Sequence, residues 1–259
     1  MHERAARALG ISLRYERFAV EPERLAEAVL KEHEAGIDGY NLTVPHKQAI
    51  MALLDEVAPG ARAIGAVNTV VRDGERYVGH NTDAPGFVRA LHEAGVHVID
   101  TSVAIIGAGG AARAGVIGLA EAGASEITVL ARRAEQSRSL VSSLQAHVRC
   151  SLRDLPLDQA ARCFRSAKLL VQATSATLGS NPHAAEFAEG LPIDALPKDA
   201  AVIDMVYQPL ETAVLKRAKA AGLATVDGLG MLLHQGAIAF EMWTGLEPPL
   251  DVMRAALED

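Results

Sequence analysis

The run Val103-Ala104-Ile105-Ile106-Gly107-Ala108-Gly109-Gly110-Ala111-Ala112 decides the fold. Four apolar residues bounded by glycine read as a short strand buried on both faces. Gly107, Gly109 and Ala112 fit the pattern G-x-G-x-x-G/A, and a Gly/Ala-rich helix follows to about residue 122. The first glycine makes a tight turn, the second lets backbone approach a pyrophosphate, and the small third residue lets helix and strand pack closely. A pyrophosphate would sit at the helix N-terminus, where free N–H groups and the helix dipole favour an anion. The motif alone is weakly specific; a strand before it and a helix after it give the context it needs.

The same rhythm continues downstream. Residues 126–130, 169–172 and 202–205 read as strands, which makes the second half a doubly wound α/β sheet. Residues 176–200, rich in Gly, Pro, Ser and Asn, read as a long loop, residues 231–243 as a strongly apolar helix, and a terminal helix ends at residue 258. Upstream, residues 2–9 form a short helix and residues 12–20 a strand. Pro22 opens a helix to about residue 34, followed by a strand over 37–44. Pro45 takes the first position of a helix to about residue 56, which puts His46 and Lys47 in its first turn. Residues 66–72 and 76–80 form a hairpin around Asp73-Gly74. Pro85 and Gly86 start a helix that ends near residue 95.

Composition narrows the partners. The chain has 259 residues, enough for two domains, with 49% hydrophobic residues and few aromatics. A net charge of −7 argues against nucleic acid or an anionic membrane as a partner. An anionic ligand must therefore meet local positive charge. No apolar run approaches the roughly 18 residues of a membrane span, and residues 1–20 lack the apolar stretch of a signal peptide. Cys150 and Cys163 have neither metal nor redox spacing and suit a reducing compartment. The nine histidines show no metal-ligand spacing either. A cytoplasmic protein without a metal is expected.

The end of the second Rossmann strand selects the nucleotide. An NAD site places Asp or Glu there to bond the ribose hydroxyls, whereas this chain has Ala131-Arg132-Arg133. Two guanidiniums suit a 2′-phosphate, which each grips through paired donors, so NADP is the expected cofactor. Cations at a helix start oppose the dipole and so need such a reason to be there.

Lys47 and Asp83 are candidates for proton handling. Both fall beyond the carboxyl ends of strands, where ligands collect in α/β sheets. At a helix start Lys47 would lose its proton more easily, and a neighbouring Asp83 would act the other way. A lysine balanced between the two exchanges protons near neutral pH. Spacing alone is equally met by a surface lysine and a capping aspartate.

Seven motifs, in order, resemble the shikimate dehydrogenase family: Asn41-Leu42-Thr43-Val44-Pro45-His46-Lys47, Gly65-Ala66-Val67-Asn68-Thr69, Asn81-Thr82-Asp83-Ala84-Pro85-Gly86, Gly107-Ala108-Gly109-Gly110-Ala111, Asp204-Met205-Val206-Tyr207-Gln208-Pro209, Asp227-Gly228-Leu229-Gly230-Met231-Leu232, and Gln235. The resemblance covers nearly the whole chain. It implies NADPH-dependent reversible reduction of 3-dehydroshikimate to shikimate, on the route to chorismate and the aromatic amino acids. It implies Lys47 as the acid/base and Asp83 as the group that orients it and binds a substrate hydroxyl. Thr43, Asn68, Tyr207 and Gln235 would hold the ring hydroxyls and carboxylate. Gly107, Ala108, Gly109, Gly110, Ala111, Arg132, Met205 and Gly228 would line the cofactor, with Arg133 beside Arg132. It implies an α/β substrate-binding and catalytic domain over residues 1–100, joined by C-terminal helices at 231–259, a Rossmann NADP-binding domain over 101–230, and an active site in the cleft between them. A monomer or homodimer acting on a small molecule is expected.

Three departures qualify the resemblance. The chain opens at Met1-His2-Glu3, where the family has just completed a first strand and an S-x-S-P turn whose serines grip the substrate carboxylate. The expectation is that Met1 is an internal methionine of a longer native protein. The family's Asn-Arg-Thr is Ala131-Arg132-Arg133 here, and Gln136 stands where a second basic residue is usual. The family's Asn before Ala-Thr is Gln172. Two alternatives remain: a quinate- or shikimate-type dehydrogenase, using NAD in one version, and a catalytically impaired nucleotide-binding member.

Overall fold

A computed structural model describes residues 1–258, so the final residue of the expected 231–259 stretch lies outside the described residues. The chain packs as two compact units, residues 1–86 with 233–258, and residues 87–232.

The first unit holds four strands: β1 (Gly39–Asn41), β2 (Glu56–Val57), β3 (Thr69–Asp73) and β4 (Arg76–His80), in the order β1-β3-β4-β2. β3 and β4 form the hairpin expected at Asp73-Gly74, with Val71 opposite Val78 and Gly74 at φ 63°. That left-handed φ is one a glycine adopts without steric cost. Leu25, Val29, Ile50, Val67, Val70 and Tyr77 bury one face of this sheet. A second cluster joins Ala5 and Ala6 of the first helix to Leu233, Ala237, Phe240 and Met253. Trp243 Nε1 donates to Val70 O at 3.0 Å, which ties the late helix to β3. Gly39 leaves the room the indole needs, because a Cβ there would strike Trp243.

The second unit is a parallel sheet of six strands: β5 (Ser102–Ile106), β6 (Glu126–Ala131), β7 (Ser151–Pro156), β8 (Leu169–Gln172), β9 (Ala201–Asp204) and β10 (Ala224–Val226). The order is β10-β9-β8-β5-β6-β7, so the direction of winding reverses between β5 and β8. That is the switch point at which open α/β sheets hold ligands. Val103, Ala104, Ile105 and Ile106 are all buried, as a strand covered on both faces requires.

Several expected elements differ. Residues 12–20 form no strand, although burial alternates from Ile11 to Glu16. Their backbone groups bond side chains instead: Tyr15 N donates to Glu3 Oε1 and Val20 O meets the His46 ring. Pro45 opens no α-helix; residues 44–48 are turns and only Ala49–Leu53 forms a 3-10 helix. Val67 N takes the Lys47 carbonyl at 2.7 Å, a tertiary bond in place of a helical one, and the local His46 N to Thr43 O bond at 2.9 Å closes a turn. Asp83 does not end a strand; β4 stops at His80 and Asp83 opens a helix, Asp83–Glu93. The loop expected over 176–200 contains the helix Ala184–Gly190, with Ala188, Leu191, Ile193 and Leu196 buried in the main core.

Candidate active site

Lys47 and Asp83 meet. Lys47 Nζ lies 2.6 Å from Asp83 Oδ2, with the two side chains 17% and 6% exposed. An ion pair this enclosed is screened far less than a surface one. Lys47 sits in a turn, so no helix dipole acts on it. Asp83 instead stands at a helix N-terminus, where the dipole stabilises a carboxylate. Asn81 caps that helix, its Oδ1 accepting from Ala84 N at 3.2 Å.

Asn68 lies behind the pair. It is 2% exposed, and its Nδ2 donates to Asp83 Oδ1 at 2.8 Å and Thr82 Oγ1 at 3.0 Å. Gln235 Oε1 is 3.4 Å from both Asn68 Nδ2 and Thr82 Oγ1. The helix bearing Gln235 passes close by because Gly86 has no side chain: a Cβ there would come within 2.6 Å of Gln235 N. Lys47, Asp83, Asn68 and Gln235, spread over 189 positions, thus form one polar cluster. Thr43 is exposed in the turn leading to Lys47. Tyr207 is 40% exposed and belongs to the second unit. Asn41, Thr69 and Thr82 bond into the cluster as well, and residue type alone gave no signal for them.

In the second unit the glycine turn has the geometry a nucleotide needs. Gly107 has φ 128°, and a Cβ on it would lie 2.8 Å from Ala173 O. Gly109 caps the helix Gly110–Glu121, and nothing lies within 4 Å of where its Cβ would be, so Gly109 faces open space. A cavity of about 590 Å³ opens at this turn. Its walls include Gly107, Ala108, Arg132, Arg133, Thr174 and His183, and no carboxylate lines it. Arg132 and Arg133 are exposed at its edge. Gly110 and Ala111 start the helix after the turn, which places Ala112 against the strand, fully buried.

Met205 follows β9 with its Cε 3.0 Å from where a Gly115 Cβ would be, and a Cβ on Gly228 would press 2.6 Å from Met205 O. Both glycines therefore let Met205 sit close. The preceding Asp204 is fully buried. Burial pushes its carboxyl pKa up, against bonds from Thr212, Val206, Thr177 and Gln172. Gln172 also clamps the cavity wall: its Oε1 accepts from Thr174 N at 2.6 Å and its Nε2 donates to Thr177 Oγ1 at 2.7 Å. The glutamine that replaces the family's asparagine is thus a structural brace of that wall. No group of His, Cys, Asp and Glu among the described residues is arranged to hold a metal. No described helix is long and apolar enough to cross a membrane.

A parallel Rossmann sheet with a cationic nucleotide cavity in the second unit, and an enclosed lysine–aspartate pair in the first, define a dinucleotide-dependent α/β enzyme. The family follows from comparison. Residues 1–70 match the shikimate dehydrogenase substrate binding domain, residues 90–204 the shikimate / quinate 5-dehydrogenase model and residues 228–258 the shikimate 5'-dehydrogenase C-terminal domain. The chain belongs to the shikimate dehydrogenase family. It is 42% identical to a shikimate dehydrogenase (NADP(+)) of Symbiobacterium thermophilum, covering 99% of this chain and 87% of that one. Among solved structures it resembles shikimate 5-dehydrogenase from Listeria monocytogenes in complex with shikimate and NAD, with TM-score 0.89, 35% identity and coverage of 99% and 90%. It also resembles the Thermus thermophilus enzyme in complex with NADP(H) and shikimate, with TM-score 0.84, 38% identity and coverage of 99% and 92%.

Proposed function

We propose that the chain catalyses the reversible, NADPH-dependent reduction of 3-dehydroshikimate to shikimate, a cytoplasmic step toward chorismate and the aromatic amino acids. The observation that carries this reading is the Lys47–Asp83 contact at 2.6 Å in a unit whose residues 1–70 match the shikimate dehydrogenase substrate binding domain. The reduction consumes one hydride and one proton. NADPH supplies the hydride when bound. The residues that fit it are the Gly107–Ala111 turn, which leaves backbone accessible to a pyrophosphate, and Arg132 and Arg133, which suit a 2′-phosphate on a cavity without carboxylates. Met205 and Gly228 complete the cofactor-binding set in this reading.

Lys47 delivers the proton to the carbonyl oxygen as it becomes an alkoxide, and takes it back in the oxidation of shikimate. Asp83 orients the ammonium through Oδ2. Its other oxygen is held by Asn68, which fixes the carboxylate plane and so the direction in which Lys47 points. Thr43, Asn68, Asp83, Tyr207 and Gln235 are proposed to bind the ring hydroxyls and carboxylate. The test compares initial rates with shikimate and quinate, each with NADP and NAD. The reading expects the shikimate–NADP pair to give the highest kcat/KM. A higher value for quinate, or for NAD, overturns the substrate or the cofactor respectively.

A further inference from the structure

A single-direction chain of hydrogen bonds runs from Tyr15 to the proton-handling pair. The Tyr15 hydroxyl lies 2.8 Å from Asn41 Oδ1, Asn41 Nδ2 lies 3.0 Å from Thr69 Oγ1, Thr69 Oγ1 lies 3.1 Å from Asn68 Oδ1, and Asn68 Nδ2 lies 2.8 Å from Asp83 Oδ1. The direction is settled by groups that only accept. Asn41 Nδ2 also faces the Asn68 backbone carbonyl at 3.1 Å. A carbonyl cannot donate, so the amide nitrogen must be on that side and Asn41 Oδ1 must accept from the phenol. At the far end Asp83 Oδ1 accepts from Asn68 Nδ2, the side of the amide opposite the one that Thr82 N–H fixes as oxygen. Asn68 Oδ1 then accepts from Thr82 N at 2.7 Å and from the Thr69 hydroxyl. Every link therefore donates toward the carboxylate. Such chains polarise one another, and donors to a carboxylate favour its charged form.

We infer that Tyr15, Asn41 and Thr69 are positioning residues for the Lys47–Asp83 pair, acting through Asn68; the inference rests on the proposed proton-transfer role of that pair. Thr82 braces the chain from the side, its Oγ1 3.0 Å from that of Thr69. The charged neighbour of Asp83 is Lys47 on Oδ2, and Asn68 on Oδ1 is neutral. Around Tyr15 stand the His2 ring, with centroids 4.6 Å apart, Glu3 on the backbone N, and Arg17. Burial pushes the Tyr15 phenol up, against Arg17, so it remains a donor.

The test is the pH profile of 3-dehydroshikimate reduction by the full chain and three variants. Thr69→Val keeps the shape and removes the hydroxyl, Thr69→Ser keeps the hydroxyl, and Tyr15→Phe cuts the chain at its outer end. The acidic limb should move up by about half a pH unit in Thr69→Val and by less, in the same sense, in Tyr15→Phe. Thr69→Ser should restore it, with the KM for NADPH unchanged throughout. A Thr69→Val limb that overlays the wild type overturns the inference, as does a shift equal in Thr69→Ser. If Thr69→Val does not fold, an unmoved limb in Tyr15→Phe overturns it alone. Absence of wild-type turnover would instead refute the proposed function. The carboxyl carbon of Asp83, titrated by 13C NMR in wild type and Tyr15→Phe, then decides the inference: a moved titration supports it and a superimposed one sinks it.

Discussion

Lys47 and Asp83 stand 36 positions apart in the chain and 2.6 Å apart in space. The turn before Ala49 carries the lysine, the first turn of Asp83–Glu93 carries the aspartate, and Asn68, just before β3, holds the other carboxylate oxygen. Three elements therefore set one proton-transfer geometry, and each can be disturbed separately.

Arg132 and Arg133 stand at the edge of a cavity that lacks carboxylates. Replacing both with alanine should weaken NADP binding by about ten- to a hundredfold, while NAD binding changes far less, because only NADP carries the extra phosphate. Titration calorimetry with both nucleotides checks this. Equal losses for NADP and NAD would mean that the arginines do not read the 2′-phosphate.

Gly107 has φ 128°, and a Cβ on it would lie 2.8 Å from Ala173 O. Gly107→Ala should cost about 1–3 kcal/mol of stability through backbone strain and displace the turn. The rise in thermal midpoint that NADP gives the wild type should be lost. A variant with the wild-type midpoint and the wild-type NADP shift would show that the turn tolerates a side chain.

How much of this was legible follows the physics of each segment. The strand at Val103–Ile106 and the glycine turn were readable because burial on both faces and a tight turn constrain residue type directly. β7 is not legible because it is an edge strand with one buried residue, Leu152; Arg153 is paired to Glu126 and Asp154 to Arg138, so it reads as polar chain. The helix expected after Pro45 does not form because Val67 N bonds the Lys47 carbonyl, a long-range fact absent from local propensity. In the candidate site, Lys47 and Asp83 stood out as titratable groups. Asn41, Thr69 and Thr82 did not, since a threonine acquires its significance from partners 13 to 28 positions away.

His2 is 6% exposed, and its Nδ1 has no hydrogen-bond partner among the described residues. Burial, and then the neighbouring N-terminal charge, push its pKa down to about 4 from 6.5. The folded state therefore resists a proton that the unfolded state accepts. The stability this contributes is complete above pH 6.5 and is lost as pH falls toward 4. The loss is up to about 3 kcal/mol. Urea midpoints from pH 7 to 4 should fall more steeply in the wild type than in His2→Phe, which keeps a ring against Tyr15, Phe240 and Trp243. Parallel curves would show that His2 does not set the acid limit.

The most direct test of the proton-transfer account is the initial rate of shikimate-dependent NADP reduction in the wild type and in Lys47→Ala. The account predicts a clear wild-type rate that falls by about a hundredfold or more in Lys47→Ala, with NADP binding retained. A folded, NADP-binding wild type with no shikimate-dependent rate, or a Lys47→Ala variant as fast as the wild type, would contradict it.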